Sequence, residues 1–100
     1  MTEEEMIKIM KKAVDKYGEK QLDIAQEELA ELIQAISKYK RASTSDELAK
    51  ARNNVIEELA DVCIMVKQIC FLLDFNRDDL ITNMMKYKLR RLDQRMENDD

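Results

Sequence analysis

The chain has 100 residues with one Gly, no Pro, no His, no Trp and two Cys, and 45% of its residues are hydrophobic. This length fits a single domain, residues 1–100. The absence of His excludes His-based catalysis and His metal ligands. The net charge of −4, from 21 acidic and 17 basic residues, argues against binding to duplex nucleic acid. Because turns between strands depend on Gly and Pro, their scarcity predicts an all-α fold.

Four helices are predicted, at residues 3–17, 19–41, 45–74 and 77–96. Thr2 and Glu5 match a capping box at the start of the first helix, and Gly18 suits its C-terminal end. The second helix carries apolar residues at helical spacing, and these are Leu22, Ala25, Leu29, Leu32, Ile33 and Ile36. Its last turn is basic, which favours a helix C-terminus.

The stretch at residues 42–45 is the clearest linker, and the third helix follows it. Two pairs are candidates to cap this helix, Thr44 with Glu47 or Ser43 with Asp46. Asn76 with Asp79 predicts the start of the fourth helix, whose apolar residues we expect to face the core. The four helices together predict a four-helix bundle with short connections, completed by dimerisation.

No feature of the sequence predicts export or a membrane. No uninterrupted apolar run, including residues 62–66, exceeds five residues, far short of a membrane span. The N-terminus is acidic, the wrong sign for a secretory leader. Cys63 and Cys70 lie in an apolar helix, which is typical of free thiols in a reducing compartment. We therefore expect a cytoplasmic protein that binds no membrane.

Two pairs of acidic residues lie close to apolar faces. On the second helix, Glu28 and Glu31 fall on the shoulder of the apolar stripe, one turn apart. On the third helix, Glu58 and Asp61 share a sector with otherwise apolar side chains, including Met65. Burying an unpaired carboxylate costs several kcal/mol or forces its protonation, so acids in such positions need a cation.

Four carboxylates brought together by two antiparallel helices would repel one another unless a metal held them. A site of oxygen ligands without His selects hard cations, namely Mg²⁺, Mn²⁺ or Ca²⁺. Mg²⁺ held by a few carboxylates usually completes its coordination shell with water and substrate phosphates. This pattern favours phosphoryl or nucleotidyl transfer to water. The alternative is that these acids are ordinary solvated surface residues, since 38% of the chain is charged.

The arrangement of Glu28-x-x-Glu31 followed by Glu58-x-x-Asp61 resembles the E-x-x-E…E-x-x-D signature of the MazG-like, all-α nucleoside triphosphate pyrophosphohydrolases. The gap of 26 residues between the motifs lies in that family's usual range. The resemblance covers about residues 22–90.

The resemblance implies that Glu28, Glu31, Glu58 and Asp61 form the catalytic set and coordinate Mg²⁺, with Mn²⁺ as a possible substitute. A metal-activated water would attack the α-phosphate of a (d)NTP, giving a (d)NMP and pyrophosphate. The general base is not assigned by the sequence. Glu27 and Glu57 are candidates for it, and both are equally consistent with plain surface residues.

Candidate substrate-binding residues lie on two helices. The resemblance implies that Asn83 and Lys86, with Arg90 as a looser match, form a polar stripe on the fourth helix near the phosphates; the alternative is that this stripe is a solvated basic face. Gln21 and Ile24 precede the first acid motif on its own side of the helix and are candidates to line a base pocket. Members of that family are commonly dimers or tetramers, so the resemblance also implies a homodimer or homotetramer.

Two alternatives to an active enzyme stay open at this point. One is a non-catalytic helical module for oligomerisation or regulation, whose acids only keep it soluble. The other is a member of the same fold that has lost activity.

Overall fold

The computed structural model describes residues 1–74 and 78–99, and almost all of them are helical. The four helices are α1 (Glu3–Tyr17), α2 (Lys20–Arg41), α3 (Ser45–Leu72) and α4 (Asp78–Asn98). These bounds differ from the predicted ones by no more than two residues. No strand occurs in the described ranges, so the predicted all-α fold class is confirmed.

Side-chain caps fix where α1 and α3 begin. Thr2 Oγ1 accepts a hydrogen bond from the Glu5 N–H at 3.1 Å, and the Glu5 carboxylate accepts one from the Thr2 N–H at 3.4 Å. Of the two caps considered for α3, Thr44 is the one formed: its Oγ1 accepts from the Glu47 N–H at 3.1 Å. Each bond satisfies a backbone donor that the helix itself leaves free.

Gly18 separates α1 from α2. Its φ of 60° and ψ of −139° are torsions that only glycine adopts readily, and its N–H donates to the Val14 carbonyl at 2.8 Å. The chain therefore turns from α1 into α2 with almost no loop. At the other end of the molecule, the predicted cap residue Asn76 lies outside the described residues.

The α2–α3 hairpin, made of α2 and α3 packed side by side, is the main body of the molecule. Gln21 Nε2 donates to Gln68 Oε1 at 2.6 Å, which joins the start of α2 to the end of α3 and shows that the two helices are antiparallel. The α1 helix packs mainly against α3. Met10 is buried there, and the Lys11 ammonium lies over the Phe71 ring.

The buried core is small. It consists of Met10, Ala25, Ala35, Met65 and Cys70, together with Gln68. Of the predicted apolar stripe on α2, Ala25 is buried but Leu29, Ile33 and Ile36 are exposed. The buried line of α2 is thus shifted toward Glu28, and the large aliphatic residues form a second, uncovered face.

The α4 helix packs against no other helix within the described residues: none of its Cα atoms lies within 8 Å of a Cα of α1, α2 or α3. The side chains predicted to face the core are therefore exposed. They are Leu80, Ile81, Met85, Leu89, Leu92 and Met96. Within the described ranges, α1, α2 and α3 accordingly form a three-helix body, and α4 lies apart from it.

The surface area and dimensions quantify this open shape. The accessible surface is 8380 Å² for a chain of 11.8 kDa, whereas a compact monomer of that mass exposes about 5,900 Å². The radius of gyration is 17.0 Å, against about 13 Å for a compact domain of 100 residues. None of the helices in the described part of the chain is long and apolar enough to cross a membrane.

Candidate metal centre

The register of the α2–α3 hairpin brings the two acid pairs face to face. Moving seven residues forward on α2 from Gln21 reaches Glu28, and moving seven back on α3 from Gln68 reaches Asp61. A further step of three on each helix pairs Glu31 with Glu58. Because antiparallel helices keep one register along their contact, the carboxylates occupy two successive layers of the same seam.

The carboxylates are close together. One oxygen from each of Glu28, Glu31 and Glu58 lies within 4.8 Å of the other two. Asp61 lies next to this trio, near enough to share a proton with Glu28. Three of the four side chains, Glu28, Glu58 and Asp61, are half-buried, and Glu31 is exposed. The α2–α3 hairpin thus gathers all four predicted acids at one place.

The crowding makes the ionised state costly. Desolvation by burial, followed by the negative charge of Glu31, raises the pKa of Glu28 and of Glu58 above the usual glutamate value of 4.5. Asp61 adds to both shifts. Like charges at this separation disfavour simultaneous ionisation, so the cluster is electrostatically strained at neutral pH without a counter-charge.

Two oxygens of the cluster have no partner. Glu28 Oε2 and Glu58 Oε2 are buried and accept no hydrogen bond. Buried polar atoms are normally satisfied, and a carboxylate oxygen left without a donor is free to act as a ligand. An all-oxygen set with unsatisfied, mutually repelling carboxylates fits a hard divalent cation.

Comparison with known proteins identifies the family of the chain. The MazG nucleotide pyrophosphohydrolase domain matches residues 16–96, most of the chain. The chain belongs to the MazG family. No curated protein and no solved structure matches it. The family assignment confirms the resemblance on which the sequence prediction rested, and the matched span includes both acid motifs and nearly all of α4.

The other predicted site residues of this MazG domain differ in their exposure and in the side chains that they face. Gln21 is half-buried and occupied by its bond to Gln68. Ile24 is 37% exposed, and the register places it opposite the buried Met65. The candidate bases Glu27 and Glu57 are exposed, although Glu57 is near enough to act on Glu58.

The three candidates on α4, Asn83, Lys86 and Arg90, are exposed. Because α4 packs against neither α2 nor α3, the MazG domain of a single chain does not bring them to the acidic cluster. Their role in substrate binding stays a prediction.

Sequence reasoning missed Gln68, which is 5% exposed and bonded to Gln21. A signal for it existed, because Gln68 is a polar residue in a strongly apolar run, one heptad beyond Asp61. Lys38 and Arg41 belong to the basic last turn of α2, which the sequence linked only to the end of the helix. In the structure they lie around the same cleft as Lys50 of α3, and this depends on how α2 and α3 pack, which helical periodicity alone does not give.

Proposed function

We propose that this MazG domain is a Mg²⁺-dependent pyrophosphohydrolase that converts a (d)NTP and water to a (d)NMP and pyrophosphate. The observation that carries the proposal is the carboxylate cluster across the α2–α3 seam, with its two unpartnered buried oxygens. Family membership supports the reaction class. The donor set of oxygens alone supports Mg²⁺, with Mn²⁺ as the substitute.

In the proposed mechanism, Glu28, Glu31, Glu58 and Asp61 would hold a divalent cation. When bound, the ion would polarise the α-phosphate and lower the pKa of a coordinated water. The water oxygen forms a bond to the α-phosphorus, and the bond from that phosphorus to the bridging oxygen breaks. Pyrophosphate leaves with the electron pair, and the proton of the water passes to a carboxylate or to solvent. Glu27 and Glu57 remain the candidate acceptors.

The base would lie toward Gln21 and Ile24, on the α1 side of the acids. Ile24 precedes Glu28 by four positions and Gln21 precedes it by seven, so a nucleotide whose α-phosphate lies at the cluster could extend its base toward them. The bond between Gln21 and Gln68 would hold the amide of Gln21 in a fixed orientation. This part of the proposal predicts that Gln21 affects the KM for the nucleotide more than kcat.

We further propose a homodimer or homotetramer in the cytoplasm, with no role for duplex nucleic acid or membranes. The support is the excess of exposed apolar surface on α2, α3 and α4. In such an assembly, α4 of one copy would cover the α2–α3 hairpin of another. Asn83, Lys86 and Arg90 would then reach the phosphates bound at the neighbouring cluster.

Pyrophosphate release from a panel of NTPs and dNTPs, measured with and without Mg²⁺, tests the activity. We expect Glu58→Gln to lower the rate by about two orders of magnitude or more, because it removes a charged ligand. Asp23→Asn is the matched control, since Asp23 is an exposed acid on α2 outside the cluster. Orthophosphate release would indicate another reaction. No turnover of any nucleotide would favour the oligomerisation module, for which the exposed apolar faces are the specific observation.

Mixing two inactive variants tests whether α4 acts on a second copy. Glu58→Gln disables the acidic cluster, and Lys86→Ala disables the proposed phosphate contact from α4. If α4 serves the neighbouring copy, a mixed assembly contains some sites with both groups intact, and activity reappears on mixing. If Lys86 acts in its own chain or not at all, mixing the two variants restores nothing.

A further inference from the structure

A second feature of the α2–α3 hairpin lies outside the acidic cluster. A shallow, open cleft of about 430 Å³ lies where α2 ends and α3 begins. Lys38 and Arg41 line it from α2, and Lys50 lines it from α3. Three cations thus surround one concave site, which favours an anionic ligand.

Cations outnumber acids in the lining of this cleft. Among the described residues, Lys38, Arg41 and Lys50 face one acid, Glu47, whose Oε2 also accepts a hydrogen bond from the Ser43 N–H at 3.0 Å. The cleft therefore carries a surplus of positive charge on a chain whose net charge is −4.

The cleft lies further along the same α2–α3 seam than the acidic cluster, and none of the four acids lines it. Asn54, half-buried, lines the cleft and precedes Glu58 by one helical turn, or about 6 Å at 1.5 Å per residue. Lys50 is one turn further from Glu58, and Lys38 is two turns beyond Glu31. Side chains on a helix lean toward its N-terminus, so those of Lys38 and Arg41 on α2 lean toward the carboxylates, while Lys50 lines the far end of the same cleft. A ligand with one phosphate at the cluster and two more beyond it would span the acidic and basic groups in turn.

We propose that this cleft binds the β- and γ-phosphates of the substrate and holds pyrophosphate after cleavage, with Lys38, Arg41 and Lys50 as the contacting cations. The inference rests on the proposed function, because it takes the α-phosphate to lie at the carboxylate cluster. The nucleotide would then lie along the seam in one orientation. Its base lies toward α1, and its triphosphate tail points toward the turn between α2 and α3. Binding of these two phosphates in the cleft would also make the site prefer triphosphates to monophosphates.

Binding of inorganic pyrophosphate to the metal-free protein, measured by calorimetry in EDTA, tests the cleft apart from catalysis. Without metal, the carboxylate cluster repels pyrophosphate, so the binding that is measured reports the basic groups. We expect Lys38→Gln/Lys50→Gln to weaken pyrophosphate binding by about tenfold or more. Lys12→Gln/Lys20→Gln removes the same charge from exposed sites outside the cleft and should leave the affinity almost unchanged.

The same two variants are then compared in the pyrophosphate-release assay. The cleft variant should raise the KM for NTP and the inhibition constant of pyrophosphate together, while kcat changes less. Equal weakening by both variants would mean a general charge effect and would overturn the proposal, as would no weakening by either. An inactive wild type that still binds pyrophosphate through Lys38 and Lys50 would refute the proposed reaction and leave the anion site standing. All four substituted lysines are exposed, so circular dichroism should show unchanged folding.

Discussion

At the scale of single residues, the carboxylate cluster is the feature that sets this chain apart from an ordinary helical bundle. Glu28 and Glu58 face each other's charges and those of Glu31 and Asp61 while partly removed from water. Apolar side chains in the same layers would pack without that repulsion. The acids therefore cost stability in the metal-free chain, and a bound cation would offset that cost.

The metal-free protein should lose stability as the pH rises through the raised pKa values of Glu28 and Glu58. Both carboxyls have a folded-state pKa above the usual 4.5. Their contribution to stability is fully present below the unfolded-state pKa and disappears as they ionise in the folded protein. Melting temperatures in EDTA between about pH 4 and pH 8 measure it, with Glu28→Gln/Glu58→Gln as the reference that lacks both titrations.

We expect the melting temperature of the wild type to fall relative to that of the double variant across this range. The carboxyls outside the cluster are common to both proteins, so the difference isolates the cluster. Mg²⁺ should reverse the trend, because the ion binds the deprotonated ligands and stabilises the folded state by mass action. Parallel curves for the two proteins, with and without Mg²⁺, would show that the cluster neither repels nor binds an ion.

At the scale of elements, the seam between α2 and α3 determines which side chains meet. The paired positions advance by three and four residues in turn on each helix, from Gln21 to Glu31 and from Gln68 to Glu58, the spacing of coiled-coil packing. Apolar pairs would be expected in every layer of such a seam. Here three of the four layers are polar, and in two of these three the register places carboxylates opposite each other.

The bond between Gln21 and Gln68 should help to hold that register. Because Gln68 is buried, removing either amide leaves the other poorly satisfied. We expect Gln21→Ala and Gln68→Ala to be non-additive, with a coupling energy of about 0.5–1.5 kcal/mol. Urea unfolding of the wild type, both single variants and the double variant at one protein concentration gives this value. Additive losses would mean that the 2.6 Å contact does not stabilise the hairpin.

The turn between α1 and α2 should depend on Gly18. A Cβ at this position would meet nothing within 4 Å, so the cost of Gly18→Ala is one of backbone torsion. With φ at 60° and ψ at −139°, we expect a loss of about 1–3 kcal/mol in unfolding free energy. Asp74 has a φ of 64°, and Asp74→Gly provides the comparison: glycine accepts that torsion, so stability should not fall. A neutral Gly18→Ala would show that α1 can enter α2 by another path.

The sequence predicts the helices and the acid motifs well because both are local in the chain. Capping pairs such as Thr2 with Glu5 act over three residues, and the sector shared by Glu58 and Asp61 follows from helical geometry. The sequence does not predict well which apolar faces are covered by another helix or by another chain. Ile33 belongs to an apolar stripe and is nevertheless 67% exposed. Periodicity shows which face of a helix is apolar, whereas the element that covers this face is decided by tertiary or quaternary packing.

At the scale of the whole molecule, the uncovered apolar surface is the dominant property. The chain exposes about 2,500 Å² more than a compact protein of its mass, which is as much as one subunit of a large obligate dimer buries. Part of this surface is one face of the α2–α3 hairpin, where Ile36 and Ile56 line a common groove. The exposed apolar residues of the hairpin that we assign to this face are Leu29, Ile33, Ile36, Ile56, Leu59 and Val66.

The variant Ile33→Glu should lower the mass of the protein in solution, as measured by light scattering after size exclusion. In an isolated chain Ile33 is exposed, so a glutamate there would be solvated and nearly neutral for stability. In an oligomer that covers this face, the same glutamate would be buried without a partner, at a cost of several kcal/mol. Gln34→Glu is the matched control, because it adds the same charge at the next position, off the apolar face. An unchanged mass for Ile33→Glu, or an equal loss for both variants, would place any interface elsewhere on the chain. Dissociation of Ile33→Glu alone would identify this face of the α2–α3 hairpin as the surface that the proposed oligomer buries.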